Sequence, residues 1–217
     1  VEAMTWREDR WHVRTDEGRT WTARAVLLAT GVIDEHPDIP GYHTRWGTAI
    51  HHCPYCHGWE MRHQPLAALA EGEAAVHMGR LLGGWSDDVV VVTHGRTLEP
   101  EIQSALTEHG IAVYTQTIAA LEGADNQLEV IRFKDGSHIA RRGLFVVSSQ
   151  RQVPLIHTLG LTLNEEGYVE VDAQQRATDA PMLWAAGDLT SRMQQVLEAA
   201  AQGGRAGACI NMALTMP

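Results

Sequence analysis

The chain has 217 residues, with 17 Lys and Arg against 27 Asp and Glu and a formal charge of -10. That balance argues against a phosphate-backbone partner, which needs a basic face. No apolar run approaches a membrane span, no signal-peptide pattern opens the chain, and three cysteines fit a reducing, cytoplasmic setting better than a secreted disulfide scaffold.

Residues 11–15 alternate, Asp16-Glu17-Gly18 is a turn signal and residues 21–24 follow, which predicts a β-hairpin. Residues 25–29 form an apolar run ending in Thr30-Gly31, the pattern of a strand buried on both faces. Between 34 and 47, Pro37, Pro40 and Gly41 among several charges mark a loop and a domain boundary.

The next stretch, Cys53-Pro54-Tyr55-Cys56-His57-Gly58-Trp59-Glu60, carries the chemistry. A Cys-x-x-Cys pair closes and reopens a small disulfide ring, and its thiolate attacks a disulfide or a flavin. Half of a zinc site and two buried structural thiols are the alternatives. A zinc ribbon normally carries a second ligand pair, whereas here the third cysteine is the distant Cys209, and His51, His52 and His57 crowd one segment. Pro54 suits the first turn of a helix, whose N-terminus would lower the thiol pKa of Cys53. Trp59 is read as a core residue, and His36, His43, His63 and His157 as surface or loop residues.

Beyond the motif, strands at 66–69, 89–92 and 111–114 alternate with helices at 73–82 and 99–109, the latter closed by Gly110. That order predicts parallel βαβ units. An antiparallel element spans 127–138 with Asp135-Gly136 as its turn, a buried strand covers 144–147, and 148–154 reads as a linker. A strand from Met182 runs into Gly187-Asp188, followed by Gln194-Gln195 and a small-residue helix over 197–209.

Taken together, these landmarks resemble the low-molecular-weight thioredoxin reductase family of flavin-dependent pyridine-nucleotide disulfide oxidoreductases. Ala29-Thr30-Gly31 is similar to the motif that closes the first flavin-domain segment. Cys53-Pro54-Tyr55-Cys56 matches the redox disulfide, residues 67–75 sit where the nicotinamide domain has its glycine-rich turn, and Ala186-Gly187-Asp188 with Gln195-Val196 matches the C-terminal flavin motif. The Cys-Pro-Tyr-Cys-His-Gly-Trp-Glu version looks closer to a branch that includes dithiol oxidases, with His57 where ordinary thioredoxin reductases carry an aspartate.

The resemblance implies an α/β fold: a Rossmann-like nucleotide-binding domain, with a parallel sheet and an antiparallel β element, plus the C-terminal part of a second, FAD-binding-like domain. The expected segments are 1–40, 44–150 and 151–217. Cys56 would face the flavin as the charge-transfer thiolate, Cys53 would exchange with substrate, and His57 would move the proton. Thr30, Gly31, Gly187, Asp188, Gln195 and Val196 would hold FAD; Gly72, Ala75 and Arg96 would hold NADPH or NADH. A thioredoxin-like protein or a small-molecule disulfide or dithiol would be the partner, and a homodimer the assembly.

Three features depart from the family. The Gly-x-Gly-x-x-Gly turn of the first flavin half is missing and the chain opens at Val1 inside a strand pattern, so N-terminal truncation is expected. The nicotinamide turn reads Ala70-Glu71-Gly72-Glu73-Ala74-Ala75, with alanine at the turn-forming glycine and two carboxylates near the phosphate position. The loop for a 2′-phosphate is Thr93-His94-Gly95-Arg96, a thin anion site. A dithiol oxidase using oxygen and a non-catalytic, redox-sensing or protein-binding domain stand as alternatives.

Overall fold

A computed structural model describes residues 1–177 and 179–216; residue 178 and residue 217, both within the expected 151–217 segment, lie outside it. The chain divides into two compact units, Val1–Glu35 with Gln150–Pro217, and His36–Ser149.

The first unit opens with β1 (Ala3–Arg7), β2 (Arg10–Arg14) and β3 (Thr20–Ala23), an antiparallel meander in the order β1-β2-β3. The expected hairpin is its second turn, and β1 extends it. Next come β4 (Val26–Leu28) and β5 (Val32–Glu35).

The second unit contains α1 (Tyr42–Arg45), β6 (Ile50–His51), α2 (Pro54–His57), β7 (Leu66–Leu69), α3 (Gly72–Leu82), β8 (Val89–Val92), α4 (Pro100–Glu108) and β9 (Ala112–Tyr114). It continues through β10 (Ile118–Glu122), β11 (Val130–Phe133) and β12 (His138–Ala140) to β13 (Gly143–Val146). Five strands form a parallel sheet in the order β6-β13-β7-β8-β9, and β10-β11-β12 form a separate antiparallel sheet.

Strand periodicity explains why β7 and β8 are apolar at every position. Alternate side chains point to opposite faces, and both faces are covered. Ala67, Leu69, Val90 and Val92 pack with Ile118, Leu121, Ile131 and Phe133 of the antiparallel sheet. Leu66, Ala68, Val89 and Val91 pack with Ala75, Met78 and Leu82 of α3 and with Ile102 and Leu106 of α4.

The chain then returns to the first unit through β14 (Ser149–Gln152), α5 (Pro154–Leu159), β15 (Leu183–Ala185), the 3-10 turn Asp188–Thr190 and α6 (Val196–Thr215). The expected linker at 148–154 thus contains a strand, which pairs with β5. β4 pairs in parallel with β15. This two-stranded pairing leaves Leu27 37% exposed and Ala29 exposed, so β4 is not the doubly buried strand its composition suggested. One further expectation needs correction: Trp59 is 62% exposed, not a core residue. His36 lies in the loop after β5, half-buried, its ring 4.3 Å from that of Trp46 and 5.2 Å from that of Tyr42. No helix among the described residues is long and apolar enough to cross a membrane.

Candidate redox site

The C-terminal edge of a parallel sheet is where loops can present chemistry, and β6 delivers the cysteine pair there. Cys53 is the extended residue before α2, with Pro54 at the first helical position. The Cys53 carbonyl accepts the N–H groups of Cys56 and His57, each at 3.2 Å, and Pro54 O accepts that of Gly58 at 2.7 Å. One helical turn therefore sets the two cysteines three residues apart on neighbouring positions. Both are free thiols, Cys53 half-buried and Cys56 exposed.

The turn is braced from below. A Cβ added at Gly58 would lie 2.4 Å from Pro54 O and 2.6 Å from the Trp85 ring, so this position has no room for a side chain. On the outer side Tyr55 and Trp59 are 69% and 62% exposed, and the Arg62 guanidinium covers the Trp59 ring at 3.9 Å.

The resolved shift is on the second cysteine: partial burial, followed by the hydrogen bond and charge of Cys53, pushes the Cys56 thiol up to about 11.

His57 has a partner that composition did not reveal. Its ring stacks on that of His51, with centroids 4.1 Å apart and planes 14° apart. His51 is only 5% exposed, and burial, with the neighbouring His57 second, lowers its pKa to about 4. His51 is thus a neutral imidazole at any physiological pH. The Nδ1 atoms of both rings are sealed from solvent without a hydrogen-bond partner. The available signal for His51 was a polar residue closing an otherwise apolar strand, two positions before Cys53. Among the described residues, no group of three or more His, Cys, Asp or Glu is placed to hold a metal ion.

The residues expected at FAD lie in the other unit, at the ends of two parallel neighbours. Leu183, Trp184 and Ala185 of β15 pair with Val26, Leu27 and Leu28 of β4, and Ala186 N donates to Leu28 O at 3.0 Å. Thr30-Gly31 and Gly187-Asp188 therefore emerge side by side, with Gly31 at φ +64° and Gly187 at φ +88°. Gln202 of α6, missed in the sequence, holds this turn: its Oε1 accepts the Gly187 N–H at 2.7 Å and the Thr190 hydroxyl at 2.9 Å. Gln195 precedes α6 without capping it, and Val196 and Leu197 are 81% and 79% exposed. Uncapped N–H donors, exposed apolar side chains and the half-buried Asp188 suit a ligand with a polar-edged apolar ring and a hydroxylated chain. The donor set present here fits FAD.

The nicotinamide turn behaves otherwise. Gly72 opens α3 at φ +54°, and Ala75 is fully buried against the sheet. Ala70 is 7% exposed where the family has its turn-forming glycine. Arg96 Nη1 donates to both carboxylate oxygens of Glu71, at 2.7 and 2.6 Å. His94 is turned away, its Nδ1 accepting the Ile118 N–H at 3.1 Å, and burial, then Lys134 and Arg96, lowers its pKa. These residues do not fit a 2′-phosphorylated nicotinamide nucleotide.

Comparison with known proteins supports the family reading. A family model described as pyridine nucleotide-disulphide oxidoreductase matches residues 2–203. The thioredoxin reductase sirT of Leptosphaeria maculans is 33% identical over 94% of this chain and 67% of its own length. The thioredoxin reductase of Listeria innocua is 27% identical over 89% of this chain and 63% of its own. The crystal structure of the putative thioredoxin reductase TrxB from Bacillus anthracis superposes with a TM-score of 0.91 at 32% identity, covering 98% of this chain and 72% of that one. The chain spans about two thirds of the length of these curated relatives. With the family model matching residues 2–203, and with sirT and TrxB 33% and 32% identical over most of the chain, the chain belongs to the pyridine nucleotide-disulphide oxidoreductase family, on its thioredoxin reductase-like side.

Proposed function

We propose that this chain works as a flavin-dependent thiol–disulfide oxidoreductase through Cys53 and Cys56. The observation that carries the reading is the exposed Cys-x-x-Cys turn at the sheet edge, with His57 adjoining the second thiol. In the reducing direction the Cys53 thiolate attacks one sulfur of a substrate disulfide, forming a mixed disulfide and expelling the other sulfur as a thiolate. Cys56 then attacks Cys53, closing the Cys53–Cys56 disulfide and releasing the second substrate thiolate. The dithiol has lost two electrons and the substrate has gained them. His57 takes the proton from the attacking thiol and returns it to a leaving thiolate. Bound FAD supplies the two-electron partner that resets the pair, and Thr30, Gly31, Gly187, Asp188, Gln195 and Val196 would hold it.

A thioredoxin-like protein or a small disulfide or dithiol is the proposed partner, in a cytoplasmic setting. A homodimer is the proposed assembly, supported by the largely exposed α6. A second reading, oxidation of a dithiol with oxygen as the final acceptor, is favoured by Ala70 and the Glu71–Arg96 pair at the nicotinamide turn.

The test is turnover by FAD-loaded protein of a small disulfide with NADH or dithionite as the electron donor, and of a small dithiol with dissolved oxygen as the acceptor, beside its Cys53→Ser and Cys56→Ser variants. Each variant is expected to lose at least 100-fold in rate. Unchanged turnover in either variant overturns the proposal, and the direction that turns over selects between the two readings.

A further inference from the structure

We infer that the Glu71–Arg96 ion pair closes the nucleotide seat of the second unit against a 2′-phosphate, and that Glu71 is its specificity-determining residue. β7 and β8 are adjacent parallel strands, with Leu66 to Leu69 aligned on Val89 to Val92. The turns that follow them, 70–72 and 93–96, therefore stand side by side at one sheet edge. A dinucleotide lying across such an edge places its pyrophosphate at the helix start after the first strand and its adenosine ribose toward the end of the next.

The loop that carries Arg96 is built, not loose. Thr93 N donates to Tyr114 O at 3.0 Å, Gly95 N to Thr115 O at 3.0 Å and Arg96 N to Thr93 O at 3.3 Å. The Thr93 hydroxyl also bonds to the Arg96 carbonyl. Gly95 sits at φ +89°, and a Cβ there would lie 2.6 Å from Thr117 Oγ1. The backbone of Arg96 is therefore held at a fixed place, from which its guanidinium fork could take a phosphate. A carboxylate of the same chain already takes it.

The pair is exposed, with side chains 68% and 54% accessible, so it adds little to folding stability. Its effect on a ligand is larger than that. An incoming 2′-phosphate must displace Glu71 from Arg96 and then remain beside the Glu71 carboxylate, with the exposed Glu73 in the first turn of α3 adding like charge. Lys134, whose charge reaches the same loop through His94, stays as a counter-charge in every variant below. A ribose hydroxyl meets no such repulsion, so the pair discriminates chiefly by the phosphate.

The experiment titrates the full chain with NADPH and with NADH by calorimetry, which reads binding without thiol turnover. Failure of the cysteine chemistry would leave this result unaffected. Glu71→Gln is expected to bind NADPH at least tenfold more tightly than the parent, with NADH changed less than threefold. Glu71→Gln combined with Arg96→Ala is expected to lose that gain. Both positions are exposed, and circular dichroism checks that each variant is folded. The inference is overturned if the parent binds NADPH as tightly as Glu71→Gln, if NADH gains equally, or if the gain survives the loss of Arg96.

Discussion

His51 and His57 lie ring on ring, 4.1 Å between centroids and 14° between planes, so a buried neutral imidazole sets the plane of the one beside the redox cysteines. His51 is fixed in turn by β6 and by Phe145 of the neighbouring strand, whose ring centroid is 5.7 Å away. His52 and Glu60 also act on it, the first lowering and the second raising its pKa.

This arrangement makes stability depend on pH. Below about pH 6.5 the unfolded chain protonates His51, whereas the folded chain resists until about pH 4. Stability is therefore fully present above the unfolded value and declines as pH falls through that window, by at most about 3 kcal/mol. In His51→Phe, which keeps an aromatic stack, the difference in urea-unfolding free energy between pH 7 and pH 5 is expected to shrink. An unchanged difference removes His51 as its source.

The thiols make a separate prediction. Since burial and then the hydrogen bond that the Cys56 thiol donates to Cys53 raise Cys56, alkylation of Cys56 by iodoacetamide should be slow at pH 7.5. Cys53→Ala removes the partner thiol, so Cys56 in that variant should alkylate several-fold faster. Rapid alkylation of Cys56 in the parent, with a midpoint near neutrality, contradicts this account.

Gly58 tests the mechanical support of the turn. Gly58→Ala forces a methyl group against Pro54 O and the Trp85 ring. Overpacking of this kind typically costs about 1–3 kcal/mol. Chemical denaturation measures it directly, and parental stability in the variant shows that the turn has slack.

Gln202 tests the flavin side. Its Oε1 accepts two hydrogen bonds at the Gly187 turn, so Gln202→Leu strands the Gly187 N–H, while the Thr190 hydroxyl keeps the Gly187 carbonyl as acceptor. Leaving a buried donor unpaired costs about 1–3 kcal/mol. FAD retention, read from the visible spectrum after desalting, should fall in the variant while alkylation of Cys53 and Cys56 by iodoacetamide is unaltered. Equal retention contradicts a role for this turn in holding FAD.

Most of the strand framework was legible because burial on both faces leaves a plain signature: Val89 to Val92 reads as a strand and is one. β14 was not legible, since its sequence Ser-Gln-Arg-Gln has no apolar alternation to read and its order comes from pairing with β5. The Cys53–Gly58 turn could be read because Pro54 and the hydrogen bonds that close it are local, within five residues. The Glu71–Arg96 pair spans 25 positions and exists only because β7 and β8 are neighbours. The same holds for the ring of His51 under His57 and for Gln202 under Gly187, where a distant or differently folded segment supplies the partner.

The central claim is that Cys53 and Cys56 act as an exchange pair with Cys53 as the attacking thiol. The most direct measurement treats Cys56→Ser with a small aromatic disulfide and maps the adducts by peptide mass spectrometry. The account predicts a persistent mixed disulfide on Cys53 in that variant, and in the parent a Cys53–Cys56 disulfide with both substrate thiols released. Capture confined to Cys209, or a parent chain that never closes the Cys53–Cys56 bond, would contradict it.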